Sequence, residues 1–166
     1  VIDDNPAIHN DIRKILGRPA ELSESFEEAE AMLFGGAETE KDNGIAFEID
    51  SAYQGQEGLE MVRKSLAAGT PYALAFVDVR MPPGWDGIET ISRIWEVYPE
   101  LQVVICTAYS DYSWEDITRT VGRSDSVLIL KKPFDNIEVL QMAHALTKKW
   151  FLTQEAKSQL SNLDKM

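Results

Sequence analysis

Three short apolar runs without polar alternation constrain the fold of this chain most. They are Ala73 to Val77, Leu101 to Cys106 and Val127 to Leu130. A strand with one face in water alternates apolar and polar residues, whereas a parallel strand covered by helices on both faces is apolar throughout. The three runs therefore predict strands of a parallel sheet that is covered by helices on both faces.

Segments with apolar residues at helical spacing separate and flank these runs. The helical patterns are Ile8, Ile12 and Ile15; Leu59, Val62 and Leu66; Ile88, Ile91 and Ile94; Trp114, Ile117 and Val121; and Ile137 onward. Asn5 and Asp135 suit the N-cap positions of the first and last helices, the latter with Glu138 three residues on. Strands that alternate with helices predict an α/β fold of three layers, with helices on both faces of a doubly wound parallel sheet.

Two more strands are expected near the start of the chain. Val1 and Ile2 precede the acidic pair Asp3 and Asp4, as the end of a buried strand would. Apolar and acidic residues alternate from Ala46 to Asp50, which is typical of a strand with one exposed face. We expect this second strand at an edge of the sheet.

The charge of the chain excludes some partners. Its net charge is −12, so this fragment lacks the basic surface that binding to nucleic acid or an anionic membrane requires. Residues 17–44 contain eight acidic and two basic side chains, a net charge of −6, which is half of the total. This acidic stretch is either a solvated surface or a docking segment.

Cys106 is the one cysteine of the chain and lies inside an apolar run. A disulfide within the chain is therefore excluded, which fits a reducing compartment and predicts a cytoplasmic protein. Cys106 is interpreted as a core residue rather than a redox sensor. No run of 18 apolar residues is present, so no membrane-spanning segment is expected.

Polar side chains follow the predicted strands where each of them ends. Asp3 and Asp4 follow the first, Asp78 the third, Thr107 the fourth and Lys132 the fifth. Because the carboxyl ends of parallel strands meet at one edge, these groups should converge there. Three carboxylates repel one another unless a divalent cation lies between them, and Mg²⁺ suits carboxylate oxygens together with a phosphoryl group. Asp78 would then be a carboxylate nucleophile toward phosphorus.

The ordered motifs of the chain resemble those of the receiver (CheY-like) domain of two-component response regulators. They are Asp3-Asp4-Asn5, Asp78-Val79-Arg80-Met81-Pro82 followed by Asp86-Gly87, Thr107-Ala108, and Lys132-Pro133-Phe134. The resemblance extends from Val1 to about Lys148 with the acidic stretch set aside. It implies a flavodoxin-like fold with five parallel strands in the order 2-1-3-4-5.

The resemblance also implies roles for individual residues. Asp78 would accept the phosphoryl group and bind Mg²⁺, with Asp4 as a direct metal ligand, Asp3 acting through water and the Arg80 carbonyl as a further ligand. Thr107, Ala108 and Lys132 would contact the phosphoryl oxygens; Lys132 is preferred to Lys131 because Pro133 follows it. The peptide bond between Lys132 and Pro133 would be cis.

By resemblance, the phosphoryl donor would be a sensor histidine kinase or a phosphotransfer protein, and the phosphorylated domain would switch conformation to control an output domain. Such a domain is regulatory and converts no external metabolite. Two alternatives are an interaction module that is not phosphorylated and a Mg²⁺-dependent phosphatase with an aspartate nucleophile. The phosphatase would need a second aspartate two residues after Asp78, where this chain has Arg80.

The chain departs from the family pattern at three places. The loop after Asp78 contains Pro82-Pro83-Gly84-Trp85, one residue more than usual, and residues 17–44 are an insertion. Ile129 stands where the family usually has a rotating Tyr or Phe, a role that Tyr109 or Tyr112 could take.

The last helical pattern continues well beyond the predicted domain, through Leu152, Leu160 and Leu163. We expect residues 1–149 to form the receiver and residues 150–166 to form a helical extension that leads to an output domain. The extension would pair with a second copy in a homodimer. The alternative is a frayed tail.

Overall fold

The computed structural model of the chain describes residues 1–17, 47–108 and 126–164, together with the helical positions 115 and 119. Its helices are α1 (Pro6–Leu16), α2 (Gly55–Ala67), α3 (Gly87–Val97) and α4 (Asn136–Asp164), and its strands are β1 (Leu74–Asp78), β2 (Gln102–Thr107) and β3 (Val127–Lys131). The three apolar runs of the sequence are thus strands, as predicted.

The three strands form a parallel sheet in the order β1-β2-β3. In this register Asp78 lies opposite Cys106, and Thr107 lies opposite Lys131. The carboxyl ends of the strands therefore meet at one edge, which brings the polar residues that follow them together.

Single bridges extend the sheet beyond β1. Ile2 forms parallel bridges to Val77 on one side and to Ala52 on the other. The prediction of a strand from Ala46 to Asp50 is wrong for the described residues 47–50, which lie outside any strand. The pairing segment lies slightly later, because the terminal amino group of Val1 donates to the carbonyl of Asp50 (2.9 Å) and the amide of Ala52 donates to Val1 (2.9 Å).

Side chains on the two faces of the sheet form two separate cores. Val77, Val103 and Ile105 pack with apolar residues of α2 and α3. Phe76 and Val104 face the other way and pack with residues of α1 and α4. Successive residues of a strand point to opposite faces, so burial of both sets explains why β1 and β2 show no polar alternation. The expectation of burial on both faces is wrong for β3, because Leu128 is exposed.

The helix boundaries follow the predicted caps. The Asn5 side chain accepts a hydrogen bond from the amide of Ala7 (3.0 Å) at the start of α1, and Gly17 ends that helix. Asp135 occupies the N-cap position of α4, where its carbonyl accepts from the amides of Glu138 and Val139 at 3.1 and 3.3 Å.

Several predictions fall on residues that the structure does not describe. Nearly all of the acidic stretch lies outside the described residues, as do Tyr109, Tyr112 and most of the helical pattern around Trp114. Among the described helices, none combines the length and the hydropathy that crossing a lipid bilayer requires.

Candidate functional site

Three carboxylates converge at the carboxyl edge of the sheet. Asp3 and Asp4 lie between the Ile2 bridge and α1, and Asp78 is the last residue of β1. One carboxylate oxygen from each residue lies within 4.8 Å of the others. The side chain of Asp3 is only 2% exposed and that of Asp78 is 12% exposed, so two of the charges are largely shielded from water. We call Asp3, Asp4 and Asp78 the acidic cluster.

Lys132, the residue after β3, extends into the acidic cluster. Its ammonium nitrogen Nζ donates to Oδ2 of Asp3 at 3.0 Å and to Oδ1 of Asp78 at 3.2 Å. Lys131 is exposed at the end of the strand. The sequence-based choice of Lys132 over Lys131 as the residue that reaches the acidic cluster therefore agrees with the geometry.

The electrostatics of the site follow from burial and from the proximity of like charges. Burial raises the pKa of the Asp78 carboxyl, and the nearby Asp3 charge raises it further, while Lys132 acts in the opposite direction. For Lys132, burial alone would lower the pKa, but the hydrogen bond to Asp3 and the charges of both carboxylates outweigh it, so the net shift is upward. The ammonium thus stays protonated and compensates only part of the negative charge.

Asp3 is fixed from several directions. Its Oδ1 accepts a hydrogen bond from the amide of Asn5 (2.8 Å), and its own amide donates to the carbonyl of Ala52 (3.0 Å). The imidazole of His9 lies 2.7 Å from the Asp3 carbonyl oxygen. Sequence reasoning missed His9, because its position among the apolar residues of α1 gives no signal of a contact with the preceding turn.

The loop from Asp78 to α3 is anchored at both ends. The amide of Val79 donates to the carbonyl of Cys106 (3.2 Å), and the amide of Gly87 donates to the carbonyl of Val79 (2.8 Å). A Cβ atom at Gly87 would lie 2.3 Å from the Asp78 carbonyl oxygen, so this close approach requires glycine. The side chain of Asp86 caps α3 by accepting from the amide of Glu89 (2.8 Å).

Thr107, Ala108 and Arg80 lie at the same edge of the sheet. The carbonyl of Thr107 accepts a hydrogen bond from the amide of Lys132 (2.8 Å), which ties the end of β2 to the residue that reaches the acidic cluster. Thr107 is buried, whereas the side chains of Ala108 and Arg80 are exposed. The contacts that these three residues were expected to make with a metal or a phosphoryl group stay predictions.

The family departures have clear positions in the structure. The loop with the additional residue contains a cis peptide between Pro82 and Pro83, and the predicted cis peptide before Pro133 is also present. Ile129 is a partly buried residue of β3 that packs against the core beneath α2 and α3. At the position where the family usually has a rotating Tyr or Phe, this chain therefore has an aliphatic side chain that is part of the core.

The acidic cluster has the donor chemistry that Mg²⁺ requires. Its three residues offer carboxylate oxygens, the ligand type that this cation prefers. Together with the Lys132 ammonium they carry a formal charge of −2, which one divalent cation would cancel. Asp4 is exposed, so the cluster is open to solvent on that side, as a cation that retains waters would need.

The chain belongs to the response regulator receiver domain family. The family model matches residues 27–144, a range that includes Asp78, Thr107 and Lys132. Receiver domains are regulatory modules of two-component signalling. The matched range begins after α1, so the assignment of Asp3 and Asp4 to the site depends on the geometry described above. Among curated protein sequences, none matches this chain.

Solved structures of receivers share the fold. NtrX from Brucella abortus, in complex with ATP, is 18% identical with a TM-score of 0.63; the match covers 94% of this chain and 28% of NtrX. A CheY-like receiver from Methanospirillum hungatei JF-1 is 18% identical with a TM-score of 0.61, covering 92% of this chain and 94% of that one. The CheX-CheY-BeF3-Mg complex from Borrelia burgdorferi gives 19% identity and a TM-score of 0.58, covering 87% and 84%. The described chain thus has a flavodoxin-like receiver fold with a parallel sheet and helices.

Proposed function

We propose that this receiver accepts a phosphoryl group on Asp78 in a Mg²⁺-dependent reaction and thereby controls an output domain. The observation that carries the proposal is the convergence of the acidic cluster and Lys132, with Nζ 3.2 Å from Oδ1 of Asp78. A carboxylate beside two others and a fixed ammonium suits attack on a phosphoryl group whose negative oxygens need positive partners.

In the proposed reaction an oxygen of Asp78 forms the bond to phosphorus while the donor's bond to phosphorus breaks, and the donor group leaves with the electron pair. Lys132 exchanges its contact with the Asp78 carboxylate for one with a phosphoryl oxygen. Thr107 and Ala108, at the end of β2, would contact the other oxygens.

The proposal also includes a sheet of five parallel strands in the order 2-1-3-4-5. The bridges of Ile2 to Ala52 and to Val77 support this order.

The proposed metal ligands are Asp4, Asp78 and the carbonyl of Arg80, with Asp3 acting through water. When bound, Mg²⁺ would neutralise charge on the phosphoryl oxygens as they approach the acidic cluster. The raised pKa of Asp78 supports this assignment, because burial and the nearby carboxylate make an unneutralised charge there unfavourable.

The proposed donor is a sensor histidine kinase or a phosphotransfer protein, and the proposed output lies beyond residues 150–166. This chain spans 28% of NtrX, so a receiver of this size also exists within a much longer protein.

The last turns of α4 expose large apolar side chains, with Leu160 62% and Leu163 65% exposed. We propose that a second copy of the chain covers them in a homodimer, since long apolar helix faces typically pair.

Intact mass measured after incubation with acetyl phosphate and Mg²⁺ tests the phosphorylation. We expect one phosphoryl adduct on the full chain, with transfer that stops when EDTA removes the cation. Asp78→Asn should show no adduct. Asp11→Asn, which changes an exposed carboxylate of α1, is the matched control and should be phosphorylated like the original chain.

An adduct that persists in Asp78→Asn would contradict the assignment of the phosphoacceptor. No adduct on the original chain, together with no Mg²⁺ binding in calorimetry, would instead favour the alternative of an interaction module that is not phosphorylated.

A further inference from the structure

His9 is a buried polar residue that the proposed reaction does not use. It lies on α1, five residues after Asp4, and is 2% exposed. Its Nε2 is 2.7 Å from the carbonyl oxygen of Asp3. A carbonyl oxygen can only accept a hydrogen bond, so Nε2 must be the protonated nitrogen in this contact.

The second ring nitrogen of His9 has no comparable contact. Within the described residues, Nδ1 is buried and lacks a hydrogen-bond partner. The ring otherwise packs on Tyr53, with 4.6 Å between ring centroids. An apolar side chain could make such a packing contact without burying an unpaired nitrogen. The feature of His9 that an apolar residue could not provide is therefore its hydrogen bond to Asp3.

With that hydrogen bond, both the carboxylate and the backbone of Asp3 have two hydrogen-bond partners. The carboxylate is held by the amide of Asn5 and by Lys132, and the backbone is held by Ala52 and by His9. His9 donates from the first turn of α1, whereas Asn5 is the N-cap residue that precedes the helix. Outer contacts of this kind fix the orientation of metal-binding groups.

We infer that His9 is a positioning residue for the Mg²⁺ site, acting through the backbone of Asp3. Its Nε2–H group holds the turn that contains Asp3 and Asp4 at the distance from Asp78 at which the three carboxylates share one cation. This inference depends on the proposed function, because it requires that the acidic cluster binds Mg²⁺.

Titration of the full chain with MgCl2 by calorimetry tests the inference. We expect His9→Phe, which keeps a ring but removes the donor, to weaken Mg²⁺ binding about tenfold, the low end of the usual loss when an outer contact is removed. His9→Gln places an amide donor near the position of Nε2 and should recover most of the affinity. His144→Phe changes the exposed histidine on α4 and should have no effect.

A second control separates positioning from general loss of stability. Trp150→Phe removes a buried hydrogen bond at the opposite end of the sheet, so it should lower the free energy of unfolding without changing the dissociation constant for Mg²⁺. If His9→Phe does not fold, His9→Asn replaces it, because its shorter amide cannot reach the Asp3 carbonyl.

Two outcomes would overturn the inference in different ways. Equal Mg²⁺ affinity in the original chain and in the variant that lacks the donor would overturn the positioning role alone. Absence of Mg²⁺ binding in the original chain would overturn the proposed function and this inference with it.

Discussion

At the carboxyl ends of the strands, buried carboxylates contact an ammonium; at the amino ends, two neutral aromatic side chains share a hydrogen bond. The indole nitrogen of Trp150 on α4 donates to the hydroxyl of Tyr98 at 2.7 Å, and both side chains are buried. Tyr98 follows α3 directly and precedes β2. We call this contact the aromatic anchor.

The two ends respond to different conditions because they differ in charge. The acidic cluster is incompletely neutralised, so its stability should depend on cations and on pH. The aromatic anchor holds no charged group near neutral pH, because burial raises the pKa of Tyr98 above its ordinary value. We therefore expect the contact that holds α4 to be independent of what occupies the acidic cluster, while α3 connects the two ends of the sheet.

Removal of the Lys132 ammonium should have the largest effect. Lys132→Met leaves Asp3 and Asp78 without this partner, and breaking a buried ion pair is strongly destabilising. We expect the free energy of unfolding without Mg²⁺ to fall by about 3 kcal/mol. Urea unfolding measures this change.

Two comparisons sharpen that measurement. Saturating Mg²⁺ should restore much of the lost stability, because the cation supplies the missing positive charge. Lys131→Met, at the exposed neighbouring position, should change stability little. Equal losses in Lys131→Met and Lys132→Met would contradict the role of Lys132 in neutralising the acidic cluster.

The aromatic anchor should show a smaller effect that does not depend on ions. Tyr98→Phe removes the acceptor and leaves the indole N–H of Trp150 buried without this partner, which should cost about 1–2 kcal/mol. The loss should be the same with and without Mg²⁺. Hydrogen exchange should also show faster opening of the helix beyond Trp150.

A double-mutant cycle with Trp150→Phe isolates the hydrogen bond from the packing of the two rings. We expect a coupling of about 1 kcal/mol. Tyr53→Phe, which alters an exposed tyrosine, is the control for loss of a hydroxyl. Zero coupling between the two substitutions would show that Tyr98 and Trp150 stabilise the chain independently.

The same comparison explains what the sequence could and could not predict. The central strands and the residues at their carboxyl ends were predictable, because an apolar run followed by Asp78 or Lys132 is a local pattern. The aromatic anchor joins residues 52 positions apart, and the contact of His9 with Asp3 depends on how α1 sits on the turn. Neither has a local signature, so neither could be read from spacing.

The predicted second strand illustrates a different limit of prediction from sequence. The alternation from Ala46 to Asp50 indicated the correct neighbourhood but the wrong pairing residue, since the bridge to Ile2 forms at Ala52. Alternation reports which side chains can face water, and it does not fix the register with a neighbour. Pairing in this case follows from backbone hydrogen bonds between residues 1–3 and 50–52.

Replacement of Asp78 should distinguish the two ends by their response to pH. The folded state raises the pKa of Asp78, so the folded protein binds this proton more readily than the unfolded chain does. The unfavourable charge is fully present above the folded pKa and is lost as pH falls through it. Without Mg²⁺, Asp78→Asn should therefore stabilise the chain at neutral pH, by less than the loss in Tyr98→Phe.

That gain should shrink as the pH is lowered, because the original carboxyl becomes protonated and resembles the amide. Saturating Mg²⁺ should reverse the order at neutral pH, since only the original chain keeps the full set of ligands. Tyr98→Phe should show a loss that is constant over the same acidic range, which makes it the internal reference for the series. The contrary result would be destabilisation by Asp78→Asn at neutral pH without Mg²⁺. It would mean that the ion pair of Asp78 with Lys132 outweighs the repulsion from Asp3. The acidic cluster would then need no cation for its stability.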